Sequence, residues 1–396
     1  IWPGAVGSAP TSYTISGTVF NDTAADLLAD GTVGDAANPG VAGAPVYLYH
    51  QNGGIPHDWD PLFQQPGIPN PATTDANGLY SFSGIPDGEY WVVVDSKTIE
   101  PTAYEATHGT GDAWAEQTYG PAGRVQRTAL SSYGIYPGPG AMYGGMSDKG
   151  GYLRASDDAT ELRKSEHLAE VNVSGGSETG RDFGFSFNLV TNTAGGDTTD
   201  DDVSANRTVQ GSLRQFIQNA NAAAGANTMR FVPVEGANAS GGGGSWWRVS
   251  VTDQLPSVTG PQTTVDGTAY DDADGTTVRN TNSNMLGTGG TVGVDGLALA
   301  QVAGPELELL GDGVVNSGLR VSSTADNSTV RRLAISGFNF DGLVTSGALD
   351  NKLTGILVEE NVLGSGPAAF VDPGAGCLHV GGGHAGRQLH PDIHHR

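Results

Sequence analysis

The chain has 396 residues, enough for two or three domains each with its own core. It carries 61 glycines, and 43 Asp plus Glu against 19 Lys plus Arg, a formal net charge of −24. Glycine without a strict three-residue period excludes collagen, a surface this acidic disfavours nucleic acid, and no stretch approaches the roughly 20 apolar residues of a membrane span.

Cys377 is the one cysteine, so an intrachain disulfide is excluded and stability must come from burial, metal or repetition. The composition reads as all-β: short strands joined by tight turns. Residues 1–11 form an N-terminal segment without an initiator Met or signal peptide. They read either as the remainder after processing or as the edge of a fragment.

Residues 12–20 (SYTISGTVF) alternate as a strand, with Tyr13, Ile15 and Val19 on one face. A loop rich in oxygen ligands follows. Its Asn21, Asp22, Asp26, Asp30 and Asp35 suit calcium, which takes six to eight oxygens, although the spacing is not that of an EF-hand. Asp and Asn also favour loops by bonding their own backbone, so ordinary turn chemistry is the competing reading.

Strands are expected at 46–49, 79–82, 89–94 and 170–173. Asn77-Gly78 and Pro86-Asp87-Gly88 mark turns, the first with the signature of a tight hairpin. Residues 100–165 read as a long insertion, with Trp114, Tyr119, Tyr133, Tyr136, Tyr143 and Tyr152 set among Gly and Pro. Those aromatics either contact a sugar or partner, or pack back as a lid.

The order GTVFND, GVAGAPVYLY, TTDANGLYSFSGIPDGEYWVVV and RDFGFSF resembles the B-type repeat of bacterial surface adhesins, the SdrD B-like domain. The resemblance covers roughly residues 12–100 and 166–188. It implies a prealbumin-like β-sandwich of the collagen-adhesin B kind, used as a stalk and stiffened by calcium. Related domains close a Lys–Asn isopeptide bond from a first-strand lysine. Here the four lysines are Lys97, Lys149, Lys164 and Lys352, so that bond is not expected.

Residues 189–206 read as an acidic linker between this sandwich, residues 12–188, and a second domain at 207–373. In the second, Leu213, Phe216, Ile217 and Ala220 have helical spacing, with Ser212 as N-cap and Gly225 as stop. GSLRQFIQNAN, MRF and QLPSVTGPQTTVDGT together resemble the N-terminal entry of right-handed parallel β-helix proteins, in which a helix caps the open end. The resemblance implies a short capped solenoid. Short apolar runs repeat after it: Leu309 and Ile335 lie 26 residues apart, Ile335 and Val358 23. Residues 374–396 break the pattern as an irregular tail holding His379, His384, His390, His394 and His395.

Catalysis needs converging carboxylates or a calcium cluster beside a base. The Asp271-Asp272-Ala273-Asp274 run looks turn-like, and Arg331 and Arg332, adjacent in a strand, should face opposite sides. The expectation is therefore a non-catalytic extracellular or cell-surface protein, an adhesin or a subunit of a filament or layer. Its partners would be copies of itself, a carbohydrate, or a host or cell-surface ligand. The alternative is a fragment of a secreted polysaccharide lyase or hydrolase with the sandwich as accessory domain.

Overall fold

Alternating apolar residues build the first strand, β1 (Tyr13–Asn21), which buries Ile15 and Val19 completely. The structure, a computed structural model, describes residues 12–28, 31–50, 68–129, 132–146, 165–195, 210–286, 290–292, 294–298, 301–345, 355–363 and 378–380. The chain forms two compact units. One holds Ile1–Thr23, Leu27–Ile99 and Gln117–Phe185; the other holds Ala24–Asp26, Glu100–Glu116 and Ser186–Arg396.

The first unit is a β-sandwich. After β1 come β2 (Pro45–His50), β3 (Ala72–Thr73), β4 (Leu79–Ile85), β5 (Gly88–Val94), β6 (Glu116–Gly120), β7 (Arg124–Ala129), β8 (Ser132–Tyr136), β9 (Gly140–Ala141), β10 (Leu168–Val173) and β11 (Phe183–Ser186). One sheet runs β4-β1-β11-β6-β9 and the other β3-β2-β5-β10-β7-β8. β1 is antiparallel to β4 and parallel to β11, with Val19 opposite Phe183. β5 is buried on both faces: Val92 and Val94 stand opposite Leu48 and Val46, while Trp91 and Val93 join Tyr49, Val125, Met146 and Leu168 in a separate cluster.

Gly184 of the RDFGFSF stretch lies opposite Phe20, and a Cβ there would come 2.5 Å from that ring. The glycine therefore lets an aromatic ring lie flat on the neighbouring strand. The turn at Asn77-Gly78 forms, with the Gly78 N–H donating to Asp75 O, but it is not a hairpin. It joins β3 to β4, which belong to different sheets, and the turn at Pro86 to Gly88 joins β4 to β5 in the same way. A one-sheet pairing would put both on the same ladder; here the turns serve to cross between layers. The stretch read as an insertion supplies β6 to β9, extending both sheets, whereas Glu100–Glu116 fold with the second unit. Tyr152 lies outside the described residues.

The second unit opens with β12 (Leu189–Val190) and helix α1 (Leu213–Ala222), the one α-helix among the described residues. Ser212 caps it as its spacing predicts, accepting from Gln215 N at 3.1 Å, and Gln215 Oε1 accepts in return from Gly211 N. The strands that follow are β13 (Asn227–Thr228), β14 (Arg230–Phe231), β15 (Ala239–Gly241), β16 (Gly244–Val251) and β17 (Thr263–Asp266). Two nested hairpin pairs come next: β18 (Met285–Leu286), β19 (Thr291–Val292), β20 (Leu297–Ala298) and β21 (Val302–Ala303). The last are β22 (Leu307–Gly311), β23 (Ser317–Val321), β24 (Thr329–Arg331), β25 (Leu333–Ser336), β26 (Asp341–Thr345), β27 (Leu357–Glu359), β28 (Val362–Leu363) and β29 (Leu378–Val380).

Three parallel ladders run through this unit. Strands β13-β17-β24-β27 form one, β16-β22-β25-β28 the second and β23-β26-β29 the third. Leu309 and Ile335 are in register as their spacing suggests. Val358, however, stands on Val330, and Ile335 on Leu363, so the interval from Ile335 to Val358 joins strands of different sheets. The inward residues Val249, Leu309, Ile335, Val265, Val330, Leu319 and Leu343 share one core with Leu213, Phe216 and Ile217 of α1. Residues 196–206 of the expected linker, and 374–377 and 381–396 of the expected tail, lie outside the described residues.

Candidate functional site

The five residues expected to bind calcium are put to different uses. Asn21 ends β1; its side-chain Oδ1 is buried and meets no hydrogen-bond donor. Asp22 is fully buried, donates its N–H to Phe185 O at 2.7 Å and accepts from Leu27 N at 3.0 Å. Asp26 falls in the second unit, and Asp30 lies outside the described residues. Asp35 accepts from the backbone N–H groups of Thr32, Asn38 and Ala37 at 2.7–3.0 Å, which hold its carboxyl below the usual carboxylate range. That is the chemistry of a turn organiser. Among the described residues, no three His, Cys, Asp or Glu side chains are grouped to hold a metal ion.

The second unit concentrates its charge at one corner of the stack. Asp266, Arg331 and Glu359 lie in register on β17, β24 and β27. Arg331 Nε and Nη2 each reach Asp266 Oδ2 at 2.8 Å, and its Nη1 approaches Glu359 at 3.7 Å. Strand alternation predicts that Arg332 points the other way. Instead its φ of +58° turns the chain, and Arg332 Nη1 comes within 3.6 Å of the same Asp266 oxygen. Arg332 also donates to Thr268 Oγ1 and to Glu360 Oε2, and Glu360 repeats the left-handed turn at φ +53°. Burial opposes the charge on Arg332, but the bond to Glu360 and the field of Asp266 outweigh it and hold the guanidinium pKa above its usual value.

On the β16-β22 pair, Arg248 stands opposite Glu308. The buried Glu308 carboxylate accepts from Trp246 Nε1 at 2.6 Å and Arg248 Nε at 2.7 Å through one oxygen, while Oε1 is buried without a hydrogen-bond donor. Two residues earlier on the same face, Glu306 accepts from Thr281 Oγ1 and Asn282 N, and burial raises its pKa against those bonds. The aspartate run forms the turn its sequence suggests: Gly275 N donates to Asp271 O, and the Thr277 hydroxyl and the Thr277 and Thr276 N–H groups hold Asp274 at about 2. Asp266, Glu306 and Glu308 carry no motif; the signal for Glu308 is a charged residue at the outward position of an apolar LELLG strand.

These acids pair with arginines or backbone donors that belong to the scaffold, and Glu306 and Glu308 are at most 7% exposed. The arrangement ties each strand to its neighbour in the ladder.

No curated protein matches the chain. A solved structure described as a candidate carbohydrate binding protein from Pseudomonas aeruginosa aligns at 15% identity, over 46% of this chain and 92% of its own, with a TM-score of 0.17. Residues 30–115 match the carboxypeptidase regulatory-like domain family, which supports the β-sandwich of the first unit.

Proposed function

We propose that the chain is a non-catalytic module for binding or display outside the cytoplasm, with an adhesin B-type sandwich ahead of a short right-handed parallel β-helix. The observation that carries this reading is the corner ladder of Asp266, Arg331 and Glu359. The acids on successive coils, where a polysaccharide-cleaving site would present them, are paired to arginine instead. Support for the solenoid comes from the parallel in-register ladders, whose inward residues form one continuous core under α1. Supporting surface display are the acidic charge, which favours solubility, and the ordered motifs of the sandwich. Calcium in the loop after β1 belongs to this proposal, supported by the burial of Asp22 and of Asn21 Oδ1.

The test has two arms. Fractionation of cells carrying the whole gene should place the protein at the surface or in the medium. Incubation with pectin, alginate and β-glucans should release neither reducing ends nor unsaturated uronates. Release of either product overturns the non-catalytic reading in favour of the lyase or hydrolase alternative.

A further inference from the structure

We propose that the outer edge of β27 docks an extended, basic segment of another protein, which adds as a further parallel strand in register with Val358 and Glu359. The inference uses the ladders themselves and stands apart from what the module displays.

Among the described residues, both long ladders end on the same stretch of chain. β27 is the last strand of its sheet and β28 of the next, and no other described strand pairs with their outer edges. Strand edges of this kind offer a row of main-chain donors and acceptors. The apolar positions change character there. Val265 and Val330 are each 1% exposed and Ile335 is fully buried, whereas their in-register successors Val358 and Leu363 are only half-buried, as is Ile356. One more strand would complete their burial.

Charge then identifies the occupant. Along the outward ladder the sign alternates: Asp266, Arg331, Glu359. Beside it runs a second series, Thr268, Arg332 and Glu360. Arg331 has an acid on either side of it, whereas Glu359 has its arginine on one side only. The next residue in register is therefore best met by a cation. The incoming strand needs an apolar side chain over Val358 and Lys or Arg over Glu359, the alternation of a β-augmenting peptide.

A second copy of this chain does not fit. Among the described strands that end a sheet, only β14 and β23 carry Lys or Arg. Arg230 of β14 is stacked 3.7 Å over Tyr270 and donates to Gly275 O, and Arg320 of β23 donates to Leu255 O. A net charge of −24 repels another copy and attracts a basic partner.

The experiment titrates the full chain with three eight-residue probes: alternating Val-Arg, alternating Val-Glu, and the Val-Arg composition in two blocks. Binding is read by fluorescence anisotropy, and its location by amide hydrogen exchange. The Val-Arg probe should bind at least tenfold more tightly than the blocked one, weaken with salt, and protect amides within residues 357–363. Val-Glu should not bind. Glu359→Lys should lose at least tenfold in Val-Arg affinity while its melting temperature stays close to the parent's. If that variant does not fold, the exchange footprint on the parent chain decides alone. Equal binding of the blocked probe, protection elsewhere, or no Val-Arg binding overturns the proposal. So does light scattering that shows a dimer through the β27 edge.

Discussion

Arg332 shares the Asp266 carboxylate with Arg331, its neighbour in sequence, because its own φ of +58° bends the chain at the end of β24. Asp266 is thus the hub of the corner: it is nearly buried, and it also accepts from Thr268 N and Oγ1. Removing it strands two arginines and a threonine, while removing one arginine leaves the other. Asp266→Ala is expected to cost about 1–3 kcal/mol in urea unfolding and Arg331→Ala less than about 1 kcal/mol, since Arg331 is a third exposed. Equal costs would show that Asp266 is not the hub.

Asn219 of α1 holds the segment Glu100–Glu116 in the second unit. Its amide accepts from Trp114 N at 2.8 Å and donates to Trp114 O and Phe187 O at 2.8 and 3.0 Å. Asn219→Leu keeps the size and removes all three bonds inside a buried site. The expected loss is about 2–4 kcal/mol, with new proteolytic cleavage between residues 100 and 116. Protection of that stretch equal to the parent's would count against the clip.

How much of this was legible in the residues follows from the physics each feature uses. Helix α1, its Ser212 cap and the strands around Val19, Val92 and Ile335 rest on local periodicity and capping, which a sequence displays directly. Asn77-Gly78 signals a turn, but which sheet receives the next strand depends on distant pairing, so the hairpin expectation failed. Arg331 and Arg332 were separated by strand alternation; a left-handed arginine breaks that rule, and nothing in the side chain announces it. The split of the insertion depends on Asn219, more than a hundred residues away from Trp114, so no local reading could place it.

Gly78 has φ +77°, and a Cβ there would lie 2.2 Å from Val19 O. Gly43 has a similar φ of +82° but open space around its Cβ position. The pair separates backbone preference from collision. Gly43→Ala is expected to cost about 1–2 kcal/mol, the left-handed penalty alone. Gly78→Ala should cost clearly more, because Val19 O lies on the central strand β1 and cannot retreat. Thermal unfolding of both variants measures the difference; equal shifts would discard the collision.

Calcium is expected to raise the melting temperature of the full chain and EDTA to lower it, because a ligand that binds only the folded state stabilises it. The increment should vanish in Asp22→Asn, which removes charge from a fully buried carboxylate, and persist in Arg331→Ala, whose side chain lies in the other unit. A melting temperature indifferent to both calcium and EDTA removes the metal from the loop after β1 and leaves its acids as turn formers.

Two acids of the second unit should leave opposite marks on the pH dependence of stability. Burial raises Glu306 above 4.5 in the folded state, so folding favours its protonated form. Its contribution is fully present below about 4.5 and is lost as pH rises through the folded value. Asp274 is held at about 2 by Thr277 and Thr276, so its contribution is present above 3.8 and disappears as pH falls through about 2. Urea unfolding at a series of pH values should therefore show Glu306→Gln flattening the curve above pH 4.5. Asp274→Asn should lower stability by a constant amount above about pH 3.8 and remove the parent's fall between about 3.8 and 2, so that the two curves meet at the acid end. A Glu306→Gln curve parallel to the parent's above pH 4.5 would mean that the carboxylate is solvated in the folded chain.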